Sequence, residues 1–238
     1  KAATIGWQHN CYDGYLHVKP VVFWQQENLL QQYLPNLDRY IVLSDYDKRD
    51  YMEKLGIDCE VKINPRSFVS EKKCDVKSKR FLMATRFVYA KGLDLMMESF
   101  EEFCKEDSEW ELDIIGDGDL FDQIRADAKK RHLEKRVHFV GYTNEPEKYY
   151  LNSSVFLLPS RWEGWPMVIM EAFEFGLPVI AYHMGAMDLI IDDGKTGFLP
   201  EAFDPHKFAQ AMLKLAHDEE LRARMSANAI AKSDDFSI

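Results

Sequence analysis

The segment PSRWEGWPMVIMEAFEFGLPVIA (159–181) places two glutamates, Glu163 and Glu171, eight positions apart across a Gly-Trp-Pro. Pro166 suits the first turn of a helix, where a missing N–H costs nothing. Glu163 then ends the entering loop, and Glu171 lies inside the helix, roughly 8 Å along the axis from its start. Between them are the N–H groups of Met167 and Val168 and the positive end of the helix dipole, a setting that favours an anion. Two carboxylates seeking hydroxyls on either side of a phosphate site suit a ligand laid out as polyol, diphosphate, polyol. A nucleotide sugar has that layout. Spacing alone also allows both glutamates to be solvated charges on a helix surface.

A second group of residues supplies cations. In ATRFVYAKGLDLMMESF (84–100), Arg86 follows a strand and Lys91-Gly92 opens a helix. Both side chains then project at the carboxyl edge of a sheet. Arginine offers a planar fork and lysine a point charge, a workable pair for a diphosphate. Asp117-Gly118-Asp119 has the look of a D-x-D metal motif. Its place in a strand–helix turn instead suits Asp119 as an N-cap, so no metal site is expected.

The elements that must hold these residues are legible as alternation. FLMAT (81–85), ELDII (111–115), VHFV (137–140), SVFLL (154–158) and PVIA (178–181) read as buried strands. Helical patterns lie between them. In GLDLMMESFEEFCKE, Leu93, Met96, Met97, Phe100 and Phe103 fall at helical spacing, and further helices start near Leu120, Pro146, Pro166 and Pro205. The expected fold class is α/β, a Rossmann-like parallel sheet with helices on both faces and ligands at the carboxyl ends of the strands. Ahead of it, ATIGW (3–7), RYIVLS (39–44) and EVKIN (60–64) read as strands, with helices over about 21–33 and 48–55. The polar segment SEKKCDVKSKR (70–80) reads as a linker or exposed turn, and a boundary placed there divides the chain into an N-terminal α/β remnant (1–75) and a complete domain (76–238).

Composition excludes other classes. A net charge of −10 argues against nucleic acid as the main partner, because phosphate contacts need a basic surface. Cys11, Cys59, Cys74 and Cys104 show no C-x-x-C spacing, which fits unpaired thiols in a reducing compartment. The histidines form no zinc-type cluster. No apolar run approaches the roughly 18 residues of a membrane span, and no signal peptide is evident, so the cytoplasm is the default compartment.

Taken together, R-x4-K-G, a strand ending in Gly-x-Gly (IIGDGDL, 114–120), VHFVG (137–141), the 159–181 segment and DDGKTGFL (192–199) form an ordered set. In order and spacing they resemble the donor-binding half of a retaining glycosyltransferase of family 4, which has the two-domain GT-B fold. The resemblance runs from about residue 36 to the C-terminus. LDRYIVLSDYDKRDYMEKLGIDCEVKINP is similar to the end of that family's acceptor domain and the crossing to its donor domain.

The resemblance implies roles. Glu163 would bond the donor sugar hydroxyls, assisted by the backbone of Gly164 and Trp165, and Glu171 would hold the ribose. Arg86 and Lys91, with the N–H groups of Met167 and Val168, would neutralise the leaving diphosphate without a metal. Gly116 to Gly118 and the backbone near Val140 to Tyr142 would border the nucleobase. His9 would contact the donor sugar from the N-terminal part, although a structural or exposed histidine fits as well. Trp165 departs from the Phe or Leu frequent in the family, either shaping the sugar pocket or packing at the helix entrance. No cofactor is implied, the nucleotide-diphosphate sugar being a substrate. The partner would be a hydroxyl acceptor, a saccharide or lipid-linked saccharide. The resemblance leaves open peripheral association of the full-length protein with the inner membrane face.

The implied activity is sugar transfer with retention in polysaccharide or glycolipid biosynthesis. Rival readings are a GT-B nucleotide-sugar epimerase or phosphorylase, and a non-catalytic sugar-nucleotide-binding scaffold. Family members begin earlier and continue past DDFSI, so the chain is expected to be a fragment that binds donor and transfers little.

Overall fold

A computed structural model describes residues 2–17 and 26–237. The chain divides into two compact units, Lys1–Pro65 with Trp162–Pro166, and Arg66–Arg161 with Met167–Ile238.

The first unit is built on three parallel strands in the order β1-β2-β3, namely β1 (Ile5–Trp7), β2 (Arg39–Val42) and β3 (Glu60–Val61). Helices α1 (Tyr12–Leu16), α2 (Glu27–Tyr33) and α3 (Asp45–Leu55) accompany them. The helix expected over 21–33 is seen from Glu27, and positions 21–25 lie outside the described residues. Helix α3 starts ahead of the expected 48–55 because Ser44 caps it, its Oγ accepting from Asp47 N–H at 3.1 Å. Tyr12, Leu16, Val42, Tyr51, Leu55, Ile57 and Cys59 form its core.

The second unit holds six parallel strands: β4 (Arg80–Ala84), β5 (Glu111–Ile115), β6 (Val137–Gly141), β7 (Val155–Leu158), β8 (Val179–Ala181) and β9 (Gly197–Phe198). Their order is β6-β5-β4-β7-β8-β9. Its helices are α4 (Leu93–Phe103), α5 (Phe121–Lys130), α6 (Glu147–Leu151), α7 (Met167–Glu174), α8 (Met187–Ile190), α9 (Pro205–His217) and α10 (Glu219–Ser233). Alternate strand residues explain the two layers. Phe81, Met83, Leu112, Ile114, Val155 and Leu157 enter one core with Met96, Phe100 and Phe103 of α4, Ile124 of α5 and Met212 of α9. On the opposite face Tyr150 of α6 stacks on Phe156 of β7, with ring centres 5.9 Å apart. Each large side chain so buried contributes about 1.5–3 kcal/mol by leaving water. Helices on both faces of a parallel α/β sheet are what the alternation implied.

The compact units meet in sequence ahead of the division expected at residue 75. The break falls after Pro65, and the charged stretch that follows is stitched to the end of α7. Glu174, buried on α7, accepts from Ser70 N–H at 2.8 Å, from Lys73 Nζ at 3.2 Å and from Arg66 Nη1 at 3.1 Å. Cys74 N–H donates to the Phe175 carbonyl at 2.8 Å. A polar composition here marks partners for a buried carboxylate, not a free linker. All four cysteines are unpaired. No helix among the described residues is long and apolar enough to cross a membrane.

Candidate functional site

The strand order of the second unit contains a switch point. From β4 the chain moves outward to β5 and β6, then returns to lay β7 beside β4 and continues to β8 and β9. The connections after β4 and β7 diverge, opening a crevice at the carboxyl ends of the strands. A cleft of about 440 Å³ lies there. Its walls are Thr85, Arg86 and Lys91 after β4, Gly116 and Asp117 after β5, Tyr142 and Thr143 after β6, and Leu158 and Val168 around the β7–α7 connection. Five residues expected at a donor site, Arg86, Lys91, Gly116, Tyr142 and Val168, therefore share one cleft.

Local structure explains the placement of the cations. Arg86 is exposed at the end of β4, and the chain tightens into a 3-10 turn over Tyr89–Lys91. Gly92 follows at φ 61°, and a Cβ there would stand 2.0 Å from the Pro159 carbonyl oxygen. Only glycine satisfies both demands. The R-x4-K-G spacing thus records a turn that brings Lys91 back to the sheet edge before α4 begins.

Helix α7 brings its first turn to the same edge. Met167 and Val168 are its first residues, so their N–H groups precede the intrahelical ladder. Glu171, half-buried further along α7, lines an adjoining cavity of about 700 Å³ with Tyr150, Phe175 and Phe68. Pro146 borders both spaces.

Tyr150 has no counterpart among the sequence candidates. Its hydroxyl donates to Glu171 Oε2 at 3.0 Å, and its ring stacks on Phe156 and on Phe175, 5.0 Å away. Burial, reinforced by the neighbouring Glu171 charge and the hydrogen bond, pushes the phenol well above the usual tyrosine range. Tyr150 therefore remains a donor to the carboxylate. In KYYLN it reads as an ordinary helix aromatic, and only the contact distinguishes it. Arg161 was missed in the same way. It bonds Asp94 through both guanidinium nitrogens, at 2.7 and 2.6 Å.

The other sequence candidates belong to the first unit. There the loop Trp162–Pro166 packs on the β1–α1 segment. Trp162 fits against Gly14, and Gly164 lies so near the backbone of His9 that a Cβ would stand 2.5 Å from the His9 carbonyl oxygen. Glu163 is half-buried, and its charge helps burial raise the Cys11 thiol to about 12. Trp165 is only 7 % exposed, which accords with packing at the helix entrance. His9 is exposed, stacks on Trp7 at 5.4 Å, and its Nδ1 lies 3.5 Å from Asn64 Nδ2.

Asp119 does not cap the following helix. Helix α5 opens at Phe121 with Leu120 at the N-cap and no side-chain cap, because a turn from Gly118 O to Phe121 N–H intervenes. Asp117 instead accepts from Gly118 N–H at 2.8 Å. Among the described residues no group of three or more His, Cys, Asp or Glu side chains is arranged to hold a metal ion.

Comparison with known proteins places this arrangement. An uncharacterized glycosyltransferase of Haemophilus influenzae is 28% identical over 204 residues, covering 84% of this chain and 58% of that protein. The poly(ribitol-phosphate) alpha-N-acetylglucosaminyltransferase of Staphylococcus aureus is 27% identical over 217 residues, covering 87% of this chain and 42% of that protein. Among solved structures, a mutant of S. aureus TarM in complex with fondaparinux, alpha-GlcNAc-glycerol and UDP superposes with a TM-score of 0.88 at 23% identity. That match covers 99% of this chain and 48% of that one, and it speaks for the fold, which is the GT-B fold. The chain thus spans about half the length of such relatives. The family model for glycosyl transferases group 1 matches residues 67–232, and the chain belongs to that family.

Proposed function

We propose that this chain carries the donor-binding part of a retaining, family 4-type glycosyltransferase, which moves a sugar from a nucleotide diphosphate to a hydroxyl acceptor. The convergence of Arg86, Lys91 and the first turn of α7 on one cleft at the switch point carries this reading. In the reaction the bond from the anomeric carbon to the diphosphate oxygen breaks, and the acceptor oxygen bonds to the same carbon. Arg86, Lys91 and the N–H groups of Met167 and Val168 stabilise the charge that develops on the leaving diphosphate, which is the largest contribution to such a step. These groups fill the role of a metal, and the nucleotide sugar enters as substrate with no resident cofactor.

Glu171, held by Tyr150, takes the ribose hydroxyls, and Gly116 and Tyr142 border the base. Glu163, with the backbone of Gly164 and Trp165, takes the sugar hydroxyls, and His9 contacts the sugar. Neither glutamate is a nucleophile. Retention follows when the leaving phosphate accepts the acceptor's proton on the face it departs from. The names of the S. aureus relative and of the poly(glycerol-phosphate) alpha-glucosyltransferase of Bacillus subtilis support a polymer as acceptor.

A thermal-shift screen of nucleoside diphosphates and their sugars tests the reading, since a ligand of the native state raises the melting temperature. At least one should stabilise the chain, with Lys91→Ala and Glu171→Ala each weakening its affinity by calorimetry. No shift with any of them, or unchanged affinity in both variants, overturns it.

A further inference from the structure

Arg161 closes the segment after β7, and its side chain reaches the loop after β4. Its fork engages both carboxylate oxygens of Asp94, in the first turn of α4, at 2.7 and 2.6 Å. Nη1 also donates to the Tyr89 carbonyl at 3.0 Å, and the guanidinium carbon lies 4.0 Å from the centre of the Tyr89 ring. The Arg161 backbone N–H donates to the Ala90 carbonyl at 2.7 Å. One residue thus grips Tyr89, Ala90 and Asp94, on both sides of Lys91-Gly92. Pro159, two residues before it, abuts Gly92. The Arg161 side chain is only 14% exposed although that of Asp94 is 48% exposed, so the pair is open to solvent on the carboxylate side and the guanidinium is held by its carbonyl and ring contacts as well as by charge.

A surface ion pair at a helix start would need only charge. The arrangement here uses everything that separates arginine from lysine: a planar fork for a bidentate carboxylate, a further N–H for a carbonyl, and a flat face for an aromatic ring. It also joins the connections after β4 and β7, which diverge at the switch point. Burial alone would raise the Asp94 carboxyl, but hydrogen bonding and charge pairing with Arg161 hold it below its usual range, so the pair stays ionised at neutral pH.

We propose that Arg161 is the positioning residue for Lys91, fixing the Tyr89–Gly92 turn so that the ammonium group meets the donor diphosphate. This rests on the reading of Lys91 as a diphosphate ligand. Arg161 does not touch the ligand and acts through the turn. Its removal therefore matters to ligand binding only while Lys91 is present.

The test is a double-mutant cycle read by calorimetry, with UDP as probe, or whichever of GDP, ADP and CDP the unaltered chain binds most tightly. Arg161→Ala and Arg161→Lys should each weaken binding by about tenfold, and Arg161→Ala in a Lys91→Ala background by less than about twofold, the non-additivity expected of residues acting as one unit. Thermal melts confirm that each variant is folded, and Arg161→Lys carries the cycle if Arg161→Ala does not fold. Wild-type affinity in Arg161→Lys, or the same fold-loss with and without Lys91, overturns the proposal and leaves the reading of the site intact. Unchanged affinity in Lys91→Ala, or no binding of any of the four nucleotides, overturns the reading of Lys91 and this proposal with it.

Discussion

The buried hydroxyl of Tyr150 donates to Oε2 of Glu171 at 3.0 Å, across 21 residues of sequence. The phenol orients the carboxylate while its ring stays fixed between Phe156 and Phe175. Tyr150→Phe keeps the stack and removes the donor. A hydrogen bond to a charged group is worth about 1.5–3 kcal/mol, so nucleoside diphosphate affinity should fall by roughly tenfold to a hundredfold. Glu171→Ala should cost at least as much. Calorimetry on the two variants checks the order, and wild-type affinity in Tyr150→Phe would show that Glu171 needs no such orientation.

Arg86 and Lys91 should act on phosphate and not on the nucleoside. With UDP and uridine as probes, or whichever nucleoside diphosphate the unaltered chain binds most tightly and its nucleoside, alanine at either position is expected to weaken diphosphate binding by about tenfold and nucleoside binding by less than about twofold, the difference expected of charge-assisted contacts. Wild-type affinity for UDP should also weaken as salt rises, because the cations are at an open cleft. Added EDTA should leave it unchanged. Equal losses for UDP and uridine would place both cations away from the phosphates.

Glu174 ties α7 to the segment after Pro65. Burial alone would raise its carboxyl, but the Ser70 N–H, Lys73 and Arg66 together hold it below the usual carboxylate range. A depressed folded value means that the native state binds fewer protons. The stability it contributes is present above the unfolded value of about 4.3 and is lost as pH falls through the folded one. Glu174→Gln should lower stability at pH 7 by about 2 kcal/mol, since Lys73 loses its charged partner while Arg66 keeps Asp234 at 3.0 Å. It should also flatten the decline below about pH 4.5. Urea unfolding between pH 3 and 7 measures both effects, and parallel pH profiles for variant and wild type would exclude the linkage.

Gly164→Ala perturbs the first unit alone. The added methyl meets the His9 carbonyl oxygen at 2.5 Å, a backbone atom that yields only if the loop moves. Overpacking of this kind costs about 1–3 kcal/mol. UDP affinity should stay within about twofold of wild type, because Arg86, Lys91 and Glu171 belong to the other unit. A lowered melting temperature with UDP affinity kept is the expected pairing, and loss of UDP binding would contradict it.

The sequence by itself determined the layers and the places where charge could matter. The short apolar runs read as buried strands became β4 to β8 within a residue or two, because a strand covered by helices on both faces is apolar nearly throughout, which is a local property of each strand. Arg86 and Lys91 were legible because a cation just past a strand must lie at a sheet edge, whatever the strand's neighbours.

What only the tertiary structure decided were partnerships between segments distant in the chain. Tyr150 meets Glu171, Arg161 meets Asp94 across 67 residues, and Glu174 meets Ser70 across 104. Each looked like an ordinary helix or loop residue, because period records which side of an element is buried and not which element covers it. The compact units divide after Pro65, ahead of residue 75, for the same reason. A polar stretch reads as a linker until a buried carboxylate supplies its partner. The pairing of β4 with β7 created the cleft, and it arises from the order in which strands join a sheet, which no local pattern encodes.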